Sequence, residues 1–477
     1  MGKSRVVLPP NAKFGRFCAN LGFFKKSVFW LLAKKSEIAP SEVMIRSKIK
    51  DFFRKIKQKK AKGVFMKRAI FFATILAQTT ILFAWTKIES STEELREKLA
   101  KTSDNEIELV VRDQNPNLSE VCEATKNKTI RLDLTGCEQL LEIQEKAFFG
   151  NSKLTEIKFP SSLKKIGAKA FARSALQSVI LPENLEEIGD FAFTRTEIMG
   201  EVIIPKSITQ IGIGAFSSCK KLKGFSVEES NTKYKSRDSV LFSKEGLKLL
   251  QYPAGKEGAY EVPANTIEIG VSAFDSAEEL SEVELPENLL IIGSYAFHEC
   301  SKLKEIEIPQ NVTHIGQEVF GGTKIKSIKL PKSLKTLGKK PFERMRELEK
   351  IEVASENLGG YYSENDVLYS KDGDIIRYPQ KKRDALYVIP SITKTITDYS
   401  FSDVEYLEQV EISEGNQVIG KYAFKNARAL KSAQIPESTT EIRVGAFLWT
   451  GAKETLPDWY DDKKTSLAPK KQVIDEK

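Results

Sequence analysis

The chain has 477 residues, of which 41% are hydrophobic and 29% charged, with five cysteines and a formal net charge of +9. The first 65 residues hold 17 Lys/Arg against 3 Asp/Glu, so the rest of the chain carries a net charge of −5. This distribution argues against a nucleic-acid-binding body, which would need its basic residues on the folded part. The sparse cysteines exclude a disulfide scaffold and a zinc site with paired short spacings.

Residues 1–65 are a basic leader placed before an export signal. Export signals normally begin close to their basic residues, so we hypothesise that Met66 is the native start and that the leader is not part of the native protein. The alternative is a cytoplasmic tail in which residues 23–32 form a basic amphipathic helix at the membrane surface.

Residues 66–84 have the layout of a signal peptide. Lys67 and Arg68 precede an uncharged run from Ala69 to Thr86, and the small Ala84 offers a cleavage position. An uncleaved anchor is the alternative, and the chain would then contact the membrane through residues 66–86. Both alternatives place the rest of the chain outside the cytoplasm, at the cell surface or in the extracellular space.

Residues 85–127 are predicted to form a spacer helix and an N-terminal cap. The segment Ser91-Thr92-Glu93-Glu94 has the spacing of a capping box, and Leu95 and Leu99 follow at helical spacing. Further on, Cys122 and Cys137 could pair in an oxidising compartment, although the sequence does not establish their geometry.

A repeat occupies residues 128–452. Its most regular feature is a phenylalanine that recurs every 22 or 23 residues, with two longer gaps of 58 and 59 residues. These phenylalanines are Phe148, Phe171, Phe193, Phe216, Phe274, Phe297, Phe320, Phe342, Phe401, Phe424 and Phe447. A fixed period of this kind is typical of a repeat solenoid, in which neighbouring coils bury one another.

Each part of the repeat predicts a local structure. In the unit 303–320, Ile306 and Ile308 are two residues apart and fall on one face of a short strand, which Pro309 ends. The Ile-Gly pair that follows turns the chain, its glycine serving either a positive φ or a close backbone approach. Alanine and phenylalanine then fill the interior, and Cys219 and Cys300, three residues after their phenylalanines, are interpreted as small buried residues.

The two longer gaps contain similar insertions, near 226–263 and 353–390. Each has two apolar runs around a Lys-acid-Gly turn, which predicts a β-hairpin. The insertions recur about 127 residues apart, which indicates block duplication. If the curvature is regular, the two hairpins would project from the same side of the stack.

The pattern LxxIxIPxxVTxIGxxAFxxC with VLFxKxGxxLxxYP insertions resembles the BspA-like class of leucine-rich repeats of bacterial surface proteins. The resemblance covers about Lys128 to Ala452, with departures at Pro341, Ser400 and the segment 197–205. It implies a mostly β repeat solenoid with short helical turns, a parallel sheet on its concave face, and an adhesive role in binding host matrix proteins or other cells. The family has no shared catalytic residues to carry over.

No catalytic, cofactor-binding or metal-binding site is predicted. Gly212-Ile213-Gly214 is the local copy of the Ile-Gly element and not a dinucleotide loop, because it lacks a strand–turn–helix context. His298-Glu299 is not followed by a second histidine at the spacing of a metal motif, and we interpret His298 and His314 as turn or surface residues.

The candidate binding residues lie on the outward row of the predicted sheet. Four carboxylates there should form one patch, which could serve a basic partner or a cation. The favoured alternative is that they are solvated strand residues whose charge is partly relieved by Lys304 and Lys329. Two isoleucines form an apolar stretch of the same row that could also be a contact site. The candidates are Glu282, Glu284, Glu305, Glu307, Lys329, Glu352, Ile180 and Ile203.

The predicted function is adhesive binding, without catalysis, of a protein or glycan by the concave sheet and the inserted hairpins. A structural envelope protein that assembles with itself is the alternative. Residues 453–477 are predicted to be a charged C-terminal tail.

Overall fold

The computed structural model describes residues 85–468. The predictions for the leader 1–65, the signal 66–84 and the end of the tail fall outside the described residues. Within residues 85–468 the chain winds into successive coils, and each regular coil contributes one longer strand and one two-residue strand.

The longer strands lie side by side in parallel and form the surface that we call the long-strand face. They are grouped as β1-β2-β3-β5-β7, β9-β11, β15-β17, β20-β22 and β26-β28-β30. Their bounds are β1 Thr86–Ser90, β2 Glu106–Val111, β3 Thr129–Asp133, β5 Leu154–Lys158, β7 Ser178–Val179, β9 Gly200–Ile204, β11 Leu222–Val227, β15 Gly258–Glu261, β17 Leu280–Glu284, β20 Ser327–Leu330, β22 Lys350–Val353, β26 Leu386–Ile389, β28 Gln409–Ile412 and β30 Ser432–Gln434.

The two-residue strands come mostly from the residues just before the repeat glycine and form the short-strand face. They also pair in parallel, and the pairing joins each coil to the next except at the two insertions. Their bounds are β4 Glu142–Ile143, β6 Lys165–Ile166, β8 Glu187–Ile188, β10 Gln210–Ile211, β16 Glu268–Ile269, β18 Ile291–Ile292, β19 His314–Ile315, β21 Thr336–Leu337, β27 Thr395–Ile396, β29 Val418–Ile419 and β31 Glu441–Ile442.

Helices occur near the N-terminal end of the described chain, where α1 (Leu95–Lys101) and α2 (Leu118–Ala124) connect β1 to β2 and β2 to β3. The Ser91 hydroxyl accepts a hydrogen bond from the Glu94 backbone N–H at 3.4 Å in the turn before α1. The N-cap of α1 is Glu94 and has no side-chain cap, so the predicted capping box is not formed. The β1-β2-β3 ladder shows that stacked coils extend to Thr86. None of the helices within residues 85–468 has the length and apolar character that a membrane crossing requires.

The interior contains the predicted column of stacked phenylalanine rings. Phe274 and Phe297 have ring centroids 4.9 Å apart, and Phe297 and Phe320 are 5.9 Å apart, in near-parallel planes. Tyr252 and Tyr378 take the phenylalanine position in the two insertion coils, at 4.8 Å from Phe274 and 5.0 Å from Phe401. Each of these tyrosines therefore begins a new stack of rings in a coil where the sequence repeat is not apparent, and among the described residues no ring contact joins Tyr252 to Phe216 or Tyr378 to Phe342.

The glycine of the Ile-Gly pair is required for close approach and not for a positive φ. A Cβ added to Gly293 would lie 2.7 Å from Val271 N and from Gly270 C of the preceding coil, closer than real Cβ contacts come. Gly212 has the same environment, whereas Gly214 has a φ of +58° and lies beneath the Phe191 ring. Both glycines of the Gly212-Ile213-Gly214 segment thus have structural explanations.

Two positions of the regular coil, two residues before and two after its phenylalanine, adopt the left-handed conformation. Around Phe171 these are Lys169 with φ 56° and Arg173 with φ 60°, and around Phe297 they are Tyr295 and Glu299, both with φ 58°. Most of these positions are not glycine, and a left-handed residue with a Cβ costs about 1–2 kcal/mol. The stacking of coils therefore maintains a strained backbone at regular intervals.

Replacing Lys169 with glycine is expected to raise the free energy of unfolding by about 0.5–1 kcal/mol, because glycine adopts this conformation without the Cβ penalty. Lys169 is exposed, and its backbone N–H would keep its hydrogen bond to Asp190 O. Lys169→Val is the control and should destabilise, since β-branched residues tolerate positive φ poorly. Urea unfolding of the three proteins checks the order, and a glycine variant less stable than the parent would contradict it.

The insertions form three-stranded antiparallel units. The first consists of β12 (Tyr234–Arg237), β13 (Val240–Ser243) and β14 (Lys248–Gln251), and the second of β23 (Tyr362–Glu364), β24 (Val367–Tyr369) and β25 (Ile375–Arg377). The hairpins around the Lys-acid-Gly turns are as predicted, and each has one additional strand before it. The last strand of each unit then pairs in parallel with the next two-residue strand.

The hairpins do not project from the stack, and that part of the prediction is wrong. In β13, Leu241 packs in one core while Val240 and Phe242 pack in the next, and all three are buried. In β24, Leu368 likewise packs in one core while Val367 and Tyr369 pack in the next. An apolar run without polar alternation fits a strand buried on both faces, so each insertion forms a partition between two cores.

One predicted strand is not formed. Residues 303–308 belong to no strand, although Ile306 and Ile308 are buried and Glu307 is exposed as predicted. The core pattern of this coil is therefore retained while its sheet hydrogen bonding is lost. Like charges on Glu282, Glu284, Glu305 and Glu307 do not by themselves explain this loss, because the like-charged Glu261 and Glu284 are register partners on β15 and β17.

Part of the charged tail closes the C-terminal end of the stack. A 3-10 helix (Ala452–Thr455) follows the last coil, and β32 (Ser466–Leu467) pairs antiparallel with β31. The Tyr460 ring lies edge-on to Phe447 at 5.8 Å, and its hydroxyl accepts a hydrogen bond from Phe447 N. Residues 452–468 thus cover the end of the phenylalanine column.

Candidate functional site

The outward side chains of the long-strand face are the candidate site, and their charges are balanced near the N-terminal end. Lys158 Nζ lies 3.5 Å from both Glu108 and Asp133, which come from the two preceding coils. Arg131 and Glu156 are register partners and lie 3.4 Å apart. This end of the face therefore has little unpaired charge to attract a partner.

The middle of the long-strand face is acidic and unpaired. We call its five exposed glutamates on three successive coils the acidic row: Glu261, Glu282, Glu284, Glu305 and Glu307. Glu261 and Glu284 are register partners, whereas no sheet ladder connects Glu284 to Glu307. Among residues 85–468 none of the five has a basic side chain at ion-pair distance, so the charge of the row faces solvent.

Glu261 was not among the candidates because its coil begins inside the first insertion. The signal was nevertheless present, since Ala259-Tyr260-Glu261-Val262-Pro263 alternates outward and buried residues before a proline, as the regular units do. Recognising this coil extends the predicted patch of four carboxylates to five.

Lys329 and Glu352 are brought together but lie outside the acidic row. They are register partners on β20 and β22. Glu352 also forms an ion pair with Lys350, and this hydrogen bond keeps the pKa of the carboxyl below its usual value. Glu352 is thus already neutralised and is a poor candidate for holding a basic group.

The predicted apolar stretch is present and strongly exposed. Ile180 is 84% and Ile203 is 60% exposed, on successive coils of the long-strand face. A second exposed apolar pair, Leu386 and Val388 on β26, belongs to the second insertion coil. Its signal in the sequence was Leu386-Tyr387-Val388-Ile389-Pro390, which again follows the strand pattern of the regular units.

The two histidines have different environments. His314 is exposed on β19, whereas His298 is a turn residue with a buried ring, so the surface reading fits only His314. His298 Nδ1 lies 3.0 Å from Asp275 Oδ1, and Ser218 Oγ donates to the other oxygen of Asp275 at 2.6 Å. Because the hydroxyl contacts the carboxylate and not the imidazole, the arrangement is a structural network and not a hydroxyl nucleophile with its base.

The cysteines are free thiols in residues 85–468. Cys219 and Cys300 are buried as predicted, and burial raises the pKa of both thiols, that of Cys219 to about 11. Cys122 and Cys137, the possible pair, are not bonded to each other. Within the described chain no three His, Cys, Asp or Glu side chains converge as metal ligands would, and this includes the acidic row.

Comparison with known proteins supports the fold. A family model described as BspA type leucine-rich repeat region, in six copies, matches residues 128–255, 259–363 and 386–454, which is more than half of the chain. The second unmatched gap falls on the second insertion. No curated protein matches the chain.

Three solved structures are similar to this chain, and the first of them supports the fold. A leucine-rich repeat protein from Eubacterium ventriosum is similar at 23% identity with a TM-score of 0.51, over 75% of this chain and 87% of that one. The pneumococcal vaccine antigen PcpA has 23% identity and a TM-score of 0.42, over 68% and 77%. A leucine-rich cell surface protein from Faecalibacterium prausnitzii has 23% identity and a TM-score of 0.38, over 55% and 74%.

Proposed function

Because this chain belongs to the BspA-type leucine-rich repeat family, we propose that it is a binding protein without catalytic activity, and that it holds a macromolecular partner on its long-strand face. The acidic row is the observation that carries the proposal. A row of exposed carboxylates without counter-ions opposes sheet pairing, and a complementary partner would remove that cost.

The chemistry of the row favours a basic protein partner. Carboxylates attract lysine and arginine, and complementary charge increases both the rate and the specificity of association. The described residues offer no metal-type grouping in this region, so a protein that presents basic side chains is a better match than a bound cation.

The apolar pair Ile180 and Ile203 supplies a second contact. Exposed apolar side chains grouped on neighbouring coils are typical of interaction surfaces, and these two lie on the same face as the acidic row. A partner that spans several coils would therefore meet an apolar segment and an acidic segment in succession, which suits a protein better than a compact glycan.

The proposed setting is the exterior of a bacterial cell. The sequence pattern of residues 66–84 supports export, and the family supports surface exposure and interaction with proteins. We propose that the role is adhesive, with a host matrix protein or a surface protein of another cell as the partner.

The double variant Glu284→Lys/Glu307→Lys in the full-length protein is expected to weaken partner binding at least about tenfold, which corresponds to about 1.4 kcal/mol. The reason is that two attractive carboxylates become repulsive. Binding would be measured against immobilised matrix proteins and against whole partner cells, with the unmodified protein identifying the ligand first.

The matched control is Glu183→Lys/Glu414→Lys. Both residues are exposed, lie in the turn after a longer-strand segment, and give the same change in net charge on coils outside the acidic row. It should bind as the parent does. Equal binding by the two double variants would show that the acidic row does not contact the partner.

A further inference from the structure

Strand β15 has a free edge in the middle of the long-strand face. It pairs with β17 and with no other strand among residues 85–468. Gly258 N donates to Glu279 O at 3.1 Å and Val262 N donates to Glu284 O at 2.9 Å, so alternate residues from Gly258 onward face β17. The backbone groups of the intervening Ala259 and Glu261 are directed to the opposite edge.

This edge is free because the turn of the first insertion takes the place of the preceding strand. Phe225 N of β11 donates to Ser239 O at 2.8 Å, so the edge of β11 that faces away from β9 is bonded to the turn and not to another strand. Gly224 makes the approach possible, since an added Cβ would lie 2.9 Å from Ser239 Cβ. The coil of β15 therefore begins beyond the turn, without a partner on that side.

A groove lies between the turn and β15. Its walls are Arg237 and Asp238 on one side and Ala259, Tyr260 and Glu261 on the other, with Pro263, Ala264 and Asn265 at one end. Tyr260 is only 7% exposed, and its hydroxyl has no hydrogen-bond partner in the described chain. In the second insertion the equivalent Tyr387 hydroxyl bonds to that of Tyr369, where the first insertion has Phe242. The Tyr260 hydroxyl lies within the core, so what the groove itself offers is the open backbone groups of Ala259 and Glu261.

The charge beside the groove is negative. Glu261 lies on the groove wall, and its register partner Glu284 and nearby Glu282 are exposed next to it. Two basic side chains reach the groove wall, and both have local partners. Arg237 is 3.7 Å from Asp238, and Lys256 Nζ donates to Asp238 O and lies 5.2 Å from the centre of the Tyr260 ring. The outward side chains of a segment bound in the groove would therefore lie beside carboxylates that have no basic partner.

We propose that this groove accepts an extended segment of the partner protein, which adds as a strand to the free edge of β15. Main-chain hydrogen bonds to Ala259 and Glu261 hold the segment, and lysine or arginine side chains on its outward side meet Glu261 and Glu284. This inference rests on the proposed binding function and specifies the kind of partner element that the acidic row takes.

The second insertion provides an internal comparison. Strand β26 likewise pairs with only one strand, β28, among the described residues. Its outward side chains are Leu386 and Val388, which are 45% and 50% exposed, so that edge would not select basic side chains. A lysine-bearing segment should therefore distinguish the two edges.

The test uses the full-length protein and a fluorescent peptide of about eight residues that alternates lysine and threonine, a length typical of a strand. Fluorescence anisotropy at about 0.15 M salt limits long-range charge effects. We expect Glu261→Lys to weaken binding at least tenfold. Methylating the backbone nitrogens on one edge of the peptide should weaken binding to the parent protein similarly, and Val388→Lys should leave it unchanged.

Ala259→Pro tests the edge from the protein side, because proline removes an N–H that faces the groove and is tolerated on edge strands. If this variant fails to fold, the methylated peptide on the parent protein still decides the point. Equal binding of methylated and unmethylated peptides would overturn strand addition in favour of charge alone. If Val388→Lys weakened peptide binding as much as Glu261→Lys does, the proposed location of the peptide at β15 would be overturned.

Absence of any peptide binding would also overturn the inference. The proposed function is decided separately, by the effect of the Glu284→Lys/Glu307→Lys variant on the natural ligand. Loss of that binding without peptide binding would leave the binding role in place and remove only the β15 groove.

Discussion

Replacing Phe297 with alanine is expected to lower the free energy of unfolding by about 3–5 kcal/mol. The ring is fully buried and stacks on Phe274 and Phe320, so its removal leaves a cavity and two rings without a neighbour. Stability in a repeat array arises mainly between adjacent coils. The loss of stability should therefore be greatest in the coils next to Phe297. Hydrogen exchange measured coil by coil checks this.

Phe297→Leu is the control for this prediction. It should lower the free energy of unfolding by less than half as much, because leucine fills most of the volume of the ring even though it cannot stack. Protection in the coils of Phe148 and Phe447 should be nearly unchanged in both variants. If Phe297→Ala costs less than about 1 kcal/mol, a typical figure for any substitution, the rings do not have the central role assigned to them here.

Replacing Gly293 with alanine is expected to destabilise by at least about 2 kcal/mol, as overpacking of a rigid neighbour does. The added Cβ would meet Gly270 C and Val271 N at 2.7 Å, and both are backbone atoms that can move only by separating two coils. The midpoint of urea unfolding should fall accordingly, with the first loss of exchange protection at β16 and β18.

Gly136→Ala is the matched control, since its Cβ would have only Val111 O within contact distance, at 4.0 Å. Gly136 does not have a positive φ, so alanine fits its backbone conformation. The change should be neutral, or stabilise by up to about 1 kcal/mol because alanine lowers the conformational entropy of the unfolded chain. A Gly293 variant as stable as the Gly136 variant would mean that coil spacing is not set by these glycines.

The regular coils could be predicted from the sequence because each of their features has one local cause. Phe148, Phe171 and Phe193 recur at a fixed spacing, and only stacking neighbours can bury such residues. The glycine of the Ile-Gly pair was harder, because the residues allow either a positive φ or a close approach. The position of the backbone of the preceding coil decides between these two explanations, and the sequence does not give that position.

The insertion coils could not be placed from the phenylalanine repeat, because Tyr252 and Tyr378 replace its marker residue. As a result, Glu261 and the pair Leu386 and Val388 were absent from the predicted outward row. The partition role of β13 and β24 was also missed, although the uninterrupted apolar run Val240-Leu241-Phe242 was a usable sign of a strand buried on both faces.

The exposure of the candidate glutamates could be predicted from the sequence, but the spacing between their coils could not. Glu282, Glu284, Glu305 and Glu307 are exposed on successive coils, as the alternation of the strand requires. Regular sheet spacing between them does not follow, because the strand at 303–308 is not formed. Sequence periodicity specifies which side chains face outward, but it does not specify which coils pair. Glu261 and Glu284 lie opposite each other in a sheet ladder, whereas Glu284 and Glu307 do not.

The partitions have a consequence for how the chain acquires its structure during synthesis. Each of the three cores draws its buried residues from one continuous stretch, ending near Leu241, Leu368 and Ala452. The earliest-made stretch can therefore complete its interior before the next has left the ribosome. Folding can therefore proceed from the N-terminal core to the C-terminal core. Each apolar stretch is then buried soon after synthesis, which shortens the time in which it could aggregate.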